Sequence, residues 1–379
     1  MIKIPKRIVS LLNLGIFKME KISIIYAYRN REISRIKASI MSLKIQNNKS
    51  FEVIFVDYGS EIKFSKELKK LFEKYSFINY HYLDVEKQLW NKSKALNFGI
   101  KNANGSHIFI ADVDLIFHPR AVNELLKKIS LKDFFLFRMG YLDQAESSKL
   151  SAGLKFAELK PKRFGEVNGM ILAAKESFFE INGYDEFFHF YGSEDVDLYS
   201  RLTNAGYQSH LVMEVYFYHN WHVSYELSDY NKLSKEPRLS NAIRLNEQHY
   251  LYQKREKILR PDGQQKWGDI PNKTEIEALE LPTLRFEKKN ILAQVEHFFY
   301  REIRDIENEV VEVKITEDEY FNSFKYKVKK ALKKSTQTYC TMKDVNDIIL
   351  KQIIFLYRNY NYSYVISPDL KSITFKIQL

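Results

Sequence analysis

The sequence predicts an α/β fold: a mostly parallel, twisted sheet flanked by helices in doubly wound order, followed by a largely helical C-terminal extension. Three observations carry that expectation. Nearly continuous apolar runs recur at 22–27, 51–56 and 107–111, as strands buried on both faces of a parallel sheet require. Amphipathic helical patterns separate them. Turn signals close two of the runs, at 57–60 and 112–114, on the carboxyl side where a doubly wound sheet binds its ligands.

The elements follow in order. ISIIYA at 22–27 is the first strand, and a helical pattern spans 31–45. FEVIFV at 51–56 is the second, closed by the turn Asp57-Tyr58-Gly59-Ser60. A lysine-rich amphipathic helix at 66–75 leads to a third strand at 78–83. A helix at 91–103 is stopped by Asn104-Gly105, and HIFIA at 107–111 is the fourth strand. Beyond Asp114 the alternation loosens, with strands at 134–138, 167–174 and 212–218 and a connection or short helix at 147–162. A helix at 175–181 precedes another whose N-cap is Ser193, with Glu194, Asp195 and Asp197 in its first turn and Gly206 past its end.

After Val223 the chain becomes polar and is punctuated by Pro237, Pro261, Pro271 and Pro282, so 226–285 reads as a wrapping extension. The segment 286–379 alternates helical patterns at 291–310, 317–334 and 343–357 with a closing hairpin, 362–366 against 372–377. Residues 1–20 mix lysine and arginine with leucine and isoleucine and read as an amphipathic segment, packed on the body or resting on a membrane surface. Their apolar stretch is short and has no small-residue cleavage site, so a signal peptide is not expected.

Composition narrows the function. A hydrophobic content of 45% over 379 residues suits a globular protein with one large domain and an appendage. The single cysteine, Cys340, excludes an intramolecular disulfide and cysteine-based metal cages. No apolar run reaches the length of a membrane span. The net charge of +11 favours an anionic partner, and no zinc-finger spacing or RNA-binding signature points to nucleic acid.

Four groups of residues could carry chemistry. Asp112 and Asp114, two apart at a strand end, point to one side if the backbone is extended and could then grip a divalent cation bridging two phosphates. His219 and His222 follow another apolar strand; neutral imidazoles add affinity for Mn²⁺. Glu194 and Asp195 sit in a helix's first turn, where the dipole alone favours acids, yet one of them could serve as a general base. The dipole should lower that residue's pKa, which opposes the role. Arg29, Arg31 and Lys92 could hold a diphosphate, and Asp57 could accept a hydrogen bond from a base or ribose.

Together these segments resemble the GT-A glycosyltransferases. IIYAYRNRE (24–32), WNKSKALNFG (90–99) and IADVDLI (110–116) are similar to donor-site segments of the β-1,4-galactosyltransferase family. INGYDE and GSEDVDLYSRL resemble its acceptor-side block, and YHNWH its metal-binding histidine segment. The Val56 to Ser60 stretch resembles bacterial family-two and chondroitin-polymerase-like transferases. The resemblance covers about residues 20–225. It implies a Rossmann-like GT-A catalytic domain at 21–225 and an inverting, metal-dependent transfer from a UDP-sugar. It also implies that Asp114, His222 and His219 hold Mn²⁺ or Mg²⁺, that Asp195 is the base, and that Glu194 holds acceptor or donor sugar. Tyr28, Arg29, Arg31, Asp57, Trp90, Lys92, Asp112 and Val113 would line the donor site, with Tyr191 standing where that family has a tryptophan. The expected acceptor is a carbohydrate or lipid-linked glycan of a bacterial surface polymer, and the donor sugar is galactosyl- or N-acetylgalactosaminyl-like. A cytoplasmic location is expected, with contact to the inner membrane face and self-association through 286–379 as further expectations. The competing readings are a nucleotidyltransferase, which would want a glycine-rich loop that 28–31 lacks, and a non-catalytic carbohydrate-binding module.

Overall fold

The computed structural model describes residues 21–150, 156, 159–166, 169–222, 230–261, 266–334 and 336–379. The amphipathic segment read at 1–20 lies outside them. Strands β1 (Ile22–Tyr28), β2 (Phe51–Tyr58), β3 (Ile78–Leu83) and β4 (His107–Ala111) alternate with helices α1 (Ile33–Lys44), α2 (Ile62–Phe72) and α3 (Lys92–Asn102). They form a parallel block in the order β3-β2-β1-β4. Every residue of β2 is buried, as the continuous apolar run requires. α2 begins four residues before the predicted start, with Glu61 at its N-cap position.

The second half of the sheet is built from shorter pieces. These are β5 (Leu115–Phe117), α4 (Ala121–Leu126), β6 (Asp133–Tyr141), α5 (Gln144–Lys149), β7 (Arg163–Gly165), β8 (Ile171–Ala174), α6 (Lys175–Glu180), α7 (Glu194–Asn204) and β9 (Gln208–His219). The order continues β4-β8-β6-β9-β5, with β7 on β6. β6 and β9 pair in parallel, whereas β4–β8, β6–β8 and β5–β9 are antiparallel. The three-residue strands β5 and β7 escape sequence reading because so short a run carries no period.

Two contacts fix the parts that frame the site. Helix α3 lies so close to β1 that a Cβ at Gly99 would stand 2.5 Å from Ile25 Cγ2. Its buried Asn97 donates to the Tyr184 carbonyl and the Glu186 carboxylate and accepts from Tyr184 N–H. The loop after β3 is pinned as well: a Cβ at Gly59 (φ 67°) would meet Glu86 N at 2.4 Å, and only glycine tolerates both demands.

The remainder of the chain contains α8 (Ala242–Glu256), α9 (Lys273–Ala278), β10 (Leu284–Lys289), α10 (Leu292–Tyr300), β11 (Val310–Thr316), α11 (Phe324–Ala331), α12 (Met342–Gln352), β12 (Tyr362–Ile366) and β13 (Ser372–Gln378). The C-terminal helices and the closing hairpin are present. Two unforeseen strands join that hairpin in a sheet ordered β10-β11-β13-β12. The helical pattern read at 291–310 ends at Tyr300, and its tail is the start of β11, where Val311, Val313 and Ile315 alternate inward. Their core is continuous with Leu89, Phe187 and Phe190 of the first half. β12 also holds the loop after β3, Tyr364 N–H donating to the Lys87 carbonyl at 2.7 Å.

The extension read at 226–285 contains a regular helix, α8, of 15 residues. Its inward face is polar: Asn246 and Gln253 are buried, and His249 lies 2.8 Å from Asp185. A helix that docks through amides and an imidazole leaves no apolar period to read. Among the described residues, no helix is long and apolar enough to cross a membrane.

Candidate active site

At the carboxyl edge of the parallel block a cleft of about 680 Å³ opens between β1, the Asp112–Asp114 turn, the end of β9 and the start of α7. Arg29, Arg31, Trp90, Lys92, Asp112, Val113, Asp114, Tyr191, Glu194, Asp195, His219 and His222 all line it. These residues come from five separate stretches of chain.

Asp114, His219 and His222 form one cluster, with a ligand atom of each lying within 4.8 Å of the others. His222 Nε2 stands 3.2 Å from Asp114 Oδ2, and His219 Nε2 3.8 Å from the same oxygen. The sheet itself makes this meeting: β5 and β9 pair Leu115 with His219, and Asn220 N–H donates to the Asp114 carbonyl at 3.1 Å. Burial would raise the Asp114 pKa, but the hydrogen bond from His222 and the charge of His219 hold it below the usual carboxylate value. One carboxylate oxygen and two imidazole nitrogens at this spacing are a donor set that suits Mn²⁺ or a similar ion.

Asp112 does not share that cluster, contrary to the expectation that both carboxylates point one way. β4 ends at Ala111, and Leu115 N–H donates back to the Asp112 carbonyl, so the pair lies in a turn rather than on extended backbone. Asp112 instead meets Lys92 Nζ at 3.0 Å. Lys92 also stands 3.5 Å from Glu194, and although burial pulls its pKa down, the charges of Asp112 and Glu194 hold it well above the ordinary lysine value.

The start of α7 carries Glu194 and Asp195. The loop before it is tightly wound, with φ of 65° at Phe190, 102° at Gly192 and 71° at Ser193. Positive φ at non-glycine residues is costly and concentrates at functional sites. It also alters the expected cap: Ser193 occupies the N-cap position, but from this conformation its side chain makes no capping bond. Glu194 instead accepts from Gly192 N–H at 3.1 Å. Asp195 accepts from Val196 N–H at 2.8 Å, and its pKa is pushed up to about 6 by burial and then by the charge of Glu194. The helix dipole predicts a lowered pKa; desolvation and a like-charged neighbour outweigh it.

Three expected donor-site residues have other surroundings. β1 and β2 run to Tyr28 and Tyr58, beyond the predicted ends, and draw Tyr28 and Asp57 inside. Tyr28 is 1% exposed and donates to the Arg31 carbonyl at 2.7 Å; Asp57 is fully buried and accepts from Ser60 N–H and the Tyr80 hydroxyl. Neither lines the cleft. Arg29 does, but its guanidinium donates to the Glu86 and Gln88 carbonyls, so it holds the loop that presents Trp90.

Several wall residues had no sequence signal strong enough to single them out. Tyr141, at the end of β6, packs its ring 5.3 Å from that of His219, and the Arg163 guanidinium lies 3.8 Å over the Tyr141 ring. Arg35, on α1, lends positive charge toward Asp114. An aromatic residue at a strand's carboxyl end is the only hint available, for Tyr141 alone, and it is a common one.

Asn246 on α8 acts from behind. It is 2% exposed, and its amide donates at 3.0 Å to both the His189 and Tyr191 carbonyls, on either side of Phe190 in the wound loop. Asn246→Ala strands both carbonyls, a cost of about 1–3 kcal/mol for a buried unsatisfied group. The expected result is a lower thermal midpoint together with a fall in transfer rate larger than any loss of donor affinity. An unchanged melting curve and unchanged kinetics would show that the loop holds its shape alone.

Residues 23–163 match the family model described as Glycosyl transferase family 2, and residues 149–225 match that described as N-terminal domain of galactosyltransferase. The two glycosyltransferase models together span 23–225, and the resemblance to glycosyltransferases drawn from the motifs of that segment is borne out. An uncharacterised glycosyltransferase of Rickettsia felis is 33% identical over 129 residues, 34% of this chain and 20% of that protein, and one of Rickettsia conorii matches to the same extent. The chain thus spans about one fifth (20%) of the length of these curated relatives. Among solved structures, S. aureus TarS 1–349 gives a TM-score of 0.41 at 16% identity, covering 53% of this chain and 60% of that one. Mannosyltransferase PcManGT from Pyrobaculum calidifontis, in complex with GDP-Man and Mn²⁺, gives 0.39 at 15% identity, covering 53% and 57%.

Proposed function

We propose that this chain transfers a hexosyl or N-acetylhexosaminyl group, galactosyl-like, from a UDP-sugar to a hydroxyl of a carbohydrate or lipid-linked glycan, with inversion and with a divalent cation. The acceptor belongs, on this reading, to a bacterial surface polysaccharide or glycolipid. The observation that carries it is the convergence of Asp114, His219 and His222 with Glu194 and Asp195 on one cleft.

Each residue then has a task. Asp114, His219 and His222 hold Mn²⁺ or Mg²⁺, which supplies Lewis-acid stabilisation of the departing diphosphate. Lys92, Arg31 and Arg35 add positive charge to the same wall. Trp90 and Val113 border the nucleotide, and Asp112, fixed by Lys92, accepts hydrogen bonds from ribose or sugar. Glu194 positions a sugar hydroxyl. Asp195 takes the acceptor's proton as the acceptor oxygen bonds to the anomeric carbon, and the bond from that carbon to the phosphate oxygen breaks with its electron pair leaving on UDP. Tyr191 and Trp221, 47% and 40% exposed, offer stacking faces for the acceptor.

The test is a nucleotide-release assay over a panel of UDP-sugars with candidate glycan acceptors. UDP release that depends on both donor and acceptor is the expected result. Pyrophosphate release from a nucleoside triphosphate and a sugar phosphate would instead make the protein a nucleotidyltransferase, and ligand binding without turnover a binding module.

A further inference from the structure

We propose that helix α11 is a docking face for an anionic lipid bilayer, an inference that goes beyond the transferase reading and does not depend on it. The helix is amphipathic in the reverse of the usual sense. Its inward residue is Tyr326, 4% exposed and packed against the rings of Tyr320, Phe321 and Tyr339, while the Ser323 hydroxyl caps the first turn by accepting from Tyr326 N–H. Phe324, Val328 and Leu332 follow at intervals of four, so they share one face. That face points outward: Phe324 is 82% exposed and Leu332 61%.

Lys325, Lys327 and Lys329 alternate with this row and Lys333 and Lys334 follow it, Lys330 lies on the side of Tyr326 with Nζ 5.9 Å from that ring, and no acidic residue lies between 323 and 334. Among the described residues none of the six makes an ion pair. An apolar row beside cations that no acid neutralises fits the headgroup boundary of a bilayer that carries negative charge. The side chains of Phe324 and Leu332 leave water, and the lysine ammonium groups remain at the phosphates. A nucleic acid would use the lysines but not the apolar row. The row is small, so attraction to anionic lipid must supply a large part of the binding and the contact must weaken with salt.

The full chain, sedimented with phosphatidylcholine vesicles that do or do not contain phosphatidylglycerol, tests this. The wild type is expected to partition onto the phosphatidylglycerol vesicles only and to be released by salt. Phe324→Ser with Leu332→Ser is expected to lower that partition about tenfold or more, and Lys325→Gln with Lys327→Gln and Lys334→Gln to lower it similarly. All of these positions are exposed, and an unchanged thermal midpoint verifies the fold. Partition of the serine variant equal to wild type would overturn the proposal, whether because the contact lies elsewhere on the chain or because it is charge alone, as for a polyanion such as RNA. So would wild-type protein that ignores phosphatidylglycerol.

Discussion

Asp195→Asn is expected to lose sugar transfer by about 10²–10⁴-fold, the usual worth of a general base, while binding the UDP-sugar as the wild type does. The amide keeps the shape of the carboxylate and its bond from Val196 N–H but cannot take a proton. The raised pKa adds a pH signature. Burial and the charge of Glu194 favour the neutral acid, so Asp195 is largely protonated below about 6 and ionised above it. The rate should therefore rise with pH through about 6 and level off. Lys92 opposes that shift, and Tyr184 and Tyr199 face the same carboxylate. Glu194→Gln removes the neighbouring negative charge and should move the acid limb to lower pH, an effect that imidazole titration elsewhere in the cleft would not show. Full transfer activity in Asp195→Asn would take the base role away from this residue.

Chelation is the second large effect. Removing divalent cations should lower turnover by about 10³-fold or more, the loss of several kcal/mol of charge stabilisation on the departing phosphate. Asp114→Asn and His222→Ala should each reproduce much of that loss and reduce the apparent affinity for Mn²⁺. Titration calorimetry of Mn²⁺ with UDP gives a readout independent of turnover: the wild type binds UDP more tightly with the ion, and the Asp114 variant gains little. Asp112→Asn should leave the ion's affinity almost intact, because Asp112 faces Lys92 rather than the imidazoles. Undiminished transfer in chelator would remove the ion from the reaction.

The uneven legibility of this protein follows from what each element depends on. β1, β2 and β4 could be read within a residue or two because a strand buried on both faces announces itself as an unbroken apolar run. Asp195 could be picked out because it lies in the first turn of a legible helix, and His222 because it follows a legible strand. α8 could not, since its buried face is Asn246, His249 and Gln253, residue types that a linear reading assigns to solvent. β10 and β11 are hidden for a related reason: β10 pairs with β11 and β11 with β13, partners remote in sequence, and the helix pattern at 291–310 runs into β11 without a break.

Within the site the division is sharper. Residue type and spacing along the chain nominate Asp112, Asp114, His219 and His222, because those are properties of the covalent polymer. Which of them share a cation position is a matter of sheet pairing between β5 and β9, and of a turn that sends Asp112 to Lys92. Likewise, acids in a helix's first turn can be read locally, and local reasoning lowers their pKa. Only the packed molecule, by removing water around Asp195 and placing Glu194 beside it, reverses the sign. Desolvation and distance between remote residues are properties of the folded volume, and no ordering of letters states them.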